Sequence, residues 1–185
     1  AVQSGSNLPS LEEAKSRAQS FFSDMNIFPK DIKTSKTRLF TIQNSKLAQT
    51  ENLPDAKIIQ VDFFPNDIEE LPVYYQDPLT SNLSVLIGGG QNNPQVLQAK
   101  FFHQEISDES STYPIKTAGQ AYSELKAGKA YIASPGENEV LIQNVFLAYY
   151  ISDKTQEYVM PIVVFQGDNG FTAYVPAVTD ELINK

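Results

Sequence analysis

Few side chains in this sequence could do chemistry. His103 is the only histidine, and cysteine is absent. A hydrolytic triad or a histidine-bearing zinc site would have to be built on His103. It lies in Phe101-Phe102-His103-Gln104, where strand alternation puts it beside Leu97, Ala99 and Phe101. The plain reading is a histidine at a sheet margin. Carboxylates gather as Asp62, Asp67, Glu69 and Glu70, and again as Asp108 and Glu109. Two convergent carboxylates with separated pKa values would suit glycoside hydrolysis. Alternating carboxylates around a central glycine would suit calcium, but that glycine is missing here. A solvated acidic loop accounts for both groups. Gly88-Gly89-Gly90 is followed by Gln91-Asn92-Asn93-Pro94, with no lysine before Lys100. A phosphate cradle needs glycines leading into a helix N-terminus, usually with lysine. A hairpin corner or bulge fits better. No catalytic residue, cofactor site or metal site is expected.

Aromatic residues offer a different kind of chemistry, contact. The chain has nine tyrosines and eleven phenylalanines but no tryptophan. Tyr149 and Tyr150 are neighbours on a strand and so point to opposite faces. With Tyr158 and Tyr174 they are the candidate partner-binding residues, because interfaces favour tyrosine. Core packing is the competing reading. Pro161 interrupts an apolar strand. Proline cannot donate to a ladder, so it predicts an edge strand or a bulge there, and the opposite edge as the place for an added strand.

The elements that position these residues follow from period and punctuation. Ser10 with Glu13 reads as a capping box. Leu11, Ala14, Ala18, Phe21, Phe22 and Met25 then recur at helical spacing, with Pro29 as the stop. Extended segments follow at 38–43, 57–64, 71–75, 83–87 and 96–106, with a loop over 44–55. In 57–64, Ile59, Val61 and Phe63 share one face and Gln60 and Asp62 the other. Thr117 with Gln120 is a second capping box, opening a helix with Ala118, Ala121, Tyr122 and Leu125 on its apolar face. Gly128 suits the left-handed position that closes it. Apolar strands at 140–151, 158–166 and 171–175 come next, with Asn169-Gly170 as a favourable turn pair.

Helix-then-strands thus occurs twice, as a divergent tandem duplication would give. Short hairpins with no helix between successive strands predict an α+β fold of two helix-plus-antiparallel-sheet units, with the sheets either separate or continuous. The predicted boundaries are a flexible tether over 1–9, an N-terminal unit over 10–112 and a C-terminal unit over 113–185.

Composition narrows the class. At 185 residues, 41% hydrophobic and 19% charged, the chain can bury a core without metal or disulfide staples. A net charge of −8 disfavours phosphate backbones, hence nucleic acid, and acidic membranes. No apolar run reaches membrane-spanning length. The opening Ala1-Val2-Gln3-Ser4-Gly5-Ser6-Asn7 suits a tether left after an upstream signal or anchor, or an expression remnant.

The C-terminal segment resembles PepSY-like modules and, among them, the extracytoplasmic regulators of a wall-sensing histidine kinase (the YycH and YycI type). The matching features are the helix at 117–126, Gly128-Lys129-Ala130-Tyr131, then 145–150, 158–165 with Gly167, and Tyr174-Val175-Pro176-Ala177-Val178. The helix region at 11–32 looks like the opening of an earlier, similar unit. The resemblance implies a cystatin-like helix-on-sheet fold, an extracytoplasmic place in the bacterial envelope, and binding or restraint of another protein. It implies no catalytic residue, and membrane attachment only through an N-terminal anchor not seen here. The expectation is a non-catalytic regulatory module with a protein or peptide partner such as a sensor kinase, protease or wall enzyme. An envelope hydrolase built on the Asp62 to Glu70 acids, or a structural spacer, is the alternative.

Overall fold

A computed structural model describes residues 8–90, 93–107, 109–137 and 139–179. The predicted tether over 1–9 falls mostly outside these residues, as does Asp108. In chain order the first elements are α1 (Leu11–Asp24), β1 (Ile32–Gln43), β2 (Lys46–Thr50), β3 (Ile58–Pro65), β4 (Val73–Tyr74), β5 (Leu83–Gly88) and β6 (Gln95–Phe101). Then come α2 (Ala118–Lys126), β7 (Tyr131–Ser134), β8 (Ile142–Tyr150), β9 (Met160–Gly167) and β10 (Thr172–Pro176). The fold is α+β, with two α-helices and two five-stranded sheets among the described residues. No helix among the described residues is long and apolar enough to cross a membrane.

The chain divides into two compact units. The first runs to Asn66 and resumes over Ser81–His103; the second takes Asp67–Thr80 and the chain from Gln104 onward. The sequence reading kept 67–80 in the first unit. These residues join the second because β4 pairs there, Val73 with Tyr149 and Tyr74 with Tyr150, in parallel. An all-antiparallel reading misses this pair, since nothing local signals a two-residue strand joined across more than 70 residues.

In the first unit the sheet order is β2-β1-β3-β5-β6, antiparallel throughout. Ala14, Ala18 and Phe22 of α1 are buried against Ile59, Val61, Phe63, Leu83, Val85 and Ile87. Two alanines at the contact let the helix lie close to the sheet. Phe22 supplies the large side chain, edge-on to Phe63 at 6.3 Å between ring centres. The predicted face overreaches at its end: Met25 is exposed. The predicted loop over 44–55 instead holds a hairpin. Asn44 and Ser45 both have positive φ, the I′ arrangement that matches strand twist, and β2 follows.

In the second unit the order is β4-β8-β9-β10-β7. Its helix side packs Ala121 of α2 against Val163, Phe165, Phe171, Ala173 and Val175. Tyr122, predicted on the apolar face, is exposed, with Lys126 over its ring. The units share a helix laid on a five-stranded sheet, but the first strand after the helix pairs centrally in one (β1) and at an edge in the other (β7). Pro161 lies in β9, the middle strand, where an edge or bulge was expected. Its carbonyl accepts from Ala177 N–H at 2.9 Å, and the Ala177 carbonyl takes the Lys116 N–H at 2.7 Å. The acceptor that proline cannot serve is therefore satisfied from outside the strand pair.

Both helices start and stop by side-chain and backbone bonds visible in the sequence. Ser10 accepts from Glu13 N–H, although Glu13 turns its carboxylate to Arg17 and not back to the cap. Thr117 and Gln120 form the full reciprocal box. Helix α1 ends well before Pro29. Asn26 takes φ 57, with Asn26 N–H to Ser23 O and Ile27 N–H to Phe22 O. Gly128 at φ 72 does the same for α2, with Gly128 N–H to Leu125 O and Lys129 N–H to Glu124 O. These are Schellman closures.

Replacing Gly128 by alanine puts a Cβ where no neighbour obstructs it, so its cost is left-handed backbone strain alone, about 1–2 kcal/mol. Ser45→Gly relieves the same strain in the β1–β2 turn and is expected to stabilise by about 0.5–1 kcal/mol. Urea unfolding of each variant measures both; equal stability for Gly128→Ala would contradict the closure described.

Candidate functional site

The carboxylates singled out for chemistry are divided between the two units. Asp62 belongs to the first unit and Asp67, Glu69 and Glu70 to the second. Asp62, placed by alternation on the polar face of its strand, is fully buried. Its Oδ1 accepts from Ser81 N–H and from Gln60 Nε2, both at 3.0 Å, and its Oδ2 from Arg38 Nη2 at 3.3 Å. Ser81 donates its hydroxyl to the Phe63 carbonyl and accepts from Leu83 N–H at 3.1 Å. Asp62 thus ties the return of the chain at Ser81 onto β3. Burial pushes its pKa above the usual value; the Ser81 N–H, the Gln60 amide and Arg38 pull it back only in part. Arg38 lies over the Phe40 ring, and its Nε is buried without a hydrogen-bond partner.

His103 follows β6 and is not inside it. Its Nε2 is 3.3 Å from Asp31 Oδ1, near enough for an ion pair when protonated but misaligned for a hydrogen bond. No group of three His, Asp or Glu side chains among the described residues could hold a metal ion. Gly88 closes β5, where a Cβ would meet Leu97, so close approach of two strands explains that glycine.

The four tyrosines part company. Tyr174 is only 3% exposed, which corrects its assignment to a contact surface. Its hydroxyl donates to the Tyr75 carbonyl at 3.1 Å, and its ring is 5.8–6.2 Å from those of Tyr74, Tyr131 and Tyr150. Burial pushes its pKa up, reinforced by Tyr74, Asp77 and the other two tyrosines. Tyr149 and Tyr150 are half-buried, and Tyr158 is exposed in the loop before β9. The cluster around Tyr174 holds residues 67–80 on the face opposite α2, with Gln166 donating to the Tyr74 hydroxyl at 3.2 Å.

An exposed sheet edge lies in the first unit. Every residue of β6 is exposed, and β6 ends its sheet. Phe102 N–H donates to Asn82 O at 2.9 Å. In an antiparallel ladder, alternate residues face the partner strand. Lys100 and Gln98 therefore turn their backbone toward β5, and Ala99 and Phe101 turn theirs outward. Leu97 is the extra residue where the register slips from Leu86↔Gln98 to Ile87↔Val96. Beside this edge an open groove runs along α1, lined by Glu13, Arg17, Phe21, Asp24, Ile87 and Val96. Glu13 and Arg17 pair with each other at 2.8 Å. Sequence reasoning found this strand but not its place. The signal was there: Gln95-Val96-Leu97-Gln98-Ala99-Lys100-Phe101 lacks strict alternation and carries a lysine, as edge strands do.

No protein-family model, curated protein or solved structure matches this chain.

The raised pKa of Asp62 has a definite sign. A native pKa above the unfolded one means the folded state binds the proton more tightly. The stabilising contribution is full below about pH 4 and is lost as pH rises through the native pKa. Relative to wild type, Asp62→Asn should therefore gain stability with rising pH across that window. Parallel urea titrations from about pH 3 to pH 7 test this; a difference that falls with pH would show that pairing with Arg38 outweighs burial.

Proposed function

We propose that the protein is a non-catalytic, extracytoplasmic binding module that holds or restrains a protein partner in the bacterial envelope. The observation that carries the binding role is β6, an edge strand exposed at all its positions and flanked by a groove in which Phe21, Ile87 and Val96 lie beside Glu13, Arg17 and Asp24. An exposed edge of this kind presents unpaired backbone groups and is normally blunted unless it is used. The envelope location rests on the likeness of 117–178 to PepSY-like modules, and the cysteine-free composition is compatible with it. The buried, triply hydrogen-bonded state of Asp62 suits a structural brace and favours binding over acid-based hydrolysis.

The test is capture from a solubilised envelope fraction by the immobilised chain, with each retained species identified and its dissociation constant then measured with purified material. Val96→Glu replaces an apolar side chain of the groove by a charged one that must lose water on binding, and should weaken that affinity by about tenfold, or 1.4 kcal/mol. Leu47→Glu, on the opposite edge strand β2, should leave it unchanged. Retention of no saturable partner, or an affinity indifferent to Val96→Glu, would overturn the reading.

A further inference from the structure

We infer that the occupant of the β6 edge is an extended, basic-flanked polypeptide segment that adds as a sixth strand and drops alternate side chains into the groove beside α1. This rests on the binding role proposed above and specifies its ligand.

The backbone fixes the class of ligand. Ala99 and Phe101 each offer an outward N–H and C=O at strand spacing, with no protein acceptor or donor among the described residues. Only another extended backbone matches such a row of alternating groups. The side chains of the same two residues lie on the helix side. Phe101 is 5.6 Å from Phe22 between ring centres, and Ala99 pairs with buried Val85. A strand laid against them has every second side chain directed to that same side, over the floor made by Phe21, Ile87 and Val96.

The usual guard of such an edge is disengaged. Lys100 is the only charge on β6, and its amine is held by Asn82 Oδ1 at 2.9 Å, toward the strand's own sheet. The bulge at Leu97 confines regular pairing to the stretch from Gln98 onward, so the added strand is short.

Charge selects among extended segments. The groove carries Glu13, Arg17 and Asp24. Glu13 and Arg17 neutralise each other, and Asp24 has no ion-pair partner among the described residues. The local excess is negative, as is the whole chain at −8. Lysine or arginine beside the apolar core of the segment is therefore favoured. A second copy of this chain is disfavoured, since two −8 molecules repel.

The probes are two synthetic octapeptides with the same Ile-Thr-Val-Thr-Val-Thr core, one flanked by lysine and one by glutamate. The readout is backbone amide exchange on the purified full chain. Saturating lysine-flanked peptide should slow exchange at Ala99 and Phe101 by about tenfold or more, and leave Gln98 and Lys100, already bonded to β5, unchanged. The glutamate-flanked peptide should bind at least about fivefold more weakly, and Asp24→Asn should narrow that gap.

Ala99→Pro removes an outward donor without touching the inward ladder, a position where a strand tolerates proline. It should abolish peptide binding while circular dichroism stays unchanged. Should that variant unfold, N-methylation of alternate peptide amides removes the same bonds from the other side and should have the same effect. Protection absent at Ala99 and Phe101, binding that survives N-methylation, or a dimer in sedimentation that Ala99→Pro dissolves would each overturn the inference. If capture of an envelope protein survives Ala99→Pro while both peptides are silent, the binding role stands and this edge is not its site. If the wild-type chain also captures no partner and binds neither peptide, both fall.

Discussion

One helix cannot cover a five-stranded sheet. Five strands at the usual spacing are about 19 Å across, and a helix with its side chains is about 10 Å wide. In the first unit α1 settles on β1, β3 and β5, the strands whose inner faces carry Leu39, Ile59, Val61, Val85 and Ile87. The two outermost strands, β2 and β6, flank the strands it covers; Phe101 at the end of β6 still reaches Phe22 of the helix, while the backbone of β6 is left half-used. The groove between α1 and β6 is a consequence of the same mismatch. The second unit meets the constraint differently. Its aromatic face, opposite α2, is held by Tyr74 and Tyr75 from the segment inserted between β3 and β5, so Tyr174 is spent on packing.

Polar groups carry the organisation between strands. Asp62 sits at the centre of its sheet without solvent because three donors converge on it, and one of these is the backbone at Ser81, where the chain re-enters the first unit. The second unit has its own counterpart: Lys116, buried just before α2, is gripped by both carboxylate oxygens of Glu124 at 3.0 and 3.1 Å. A buried charge without its partner is costly, so each pair specifies where a chain segment must lie.

Much of this was legible in the sequence where the signal is local. The capping box at Thr117, the left-handed Gly128, and the inward triad Ile59, Val61 and Phe63 all stand as the residue patterns predict, while of the box expected at Ser10 only the serine half forms. The failures are non-local. The β4–β8 pairing, the central position of Pro161 and the burial of Tyr174 depend on which strand becomes whose neighbour, and period-2 alternation carries no information on that. Asp62 looked solvent-facing because alternation distinguishes two faces, not whether a face is wet. Asn26 closing α1 in place of Pro29 was readable in principle, since asparagine tolerates positive φ, but proline is the louder signal.

The proposed binding depends on the outward backbone of β6. Amide hydrogen exchange of the free chain tests it most directly. Gln98 and Lys100 should exchange slowly, protected by β5, while Ala99 and Phe101 exchange at rates near those of an unstructured chain. Uniform protection across all four amides would mean that the edge is already covered, and the binding site assigned to it would be wrong.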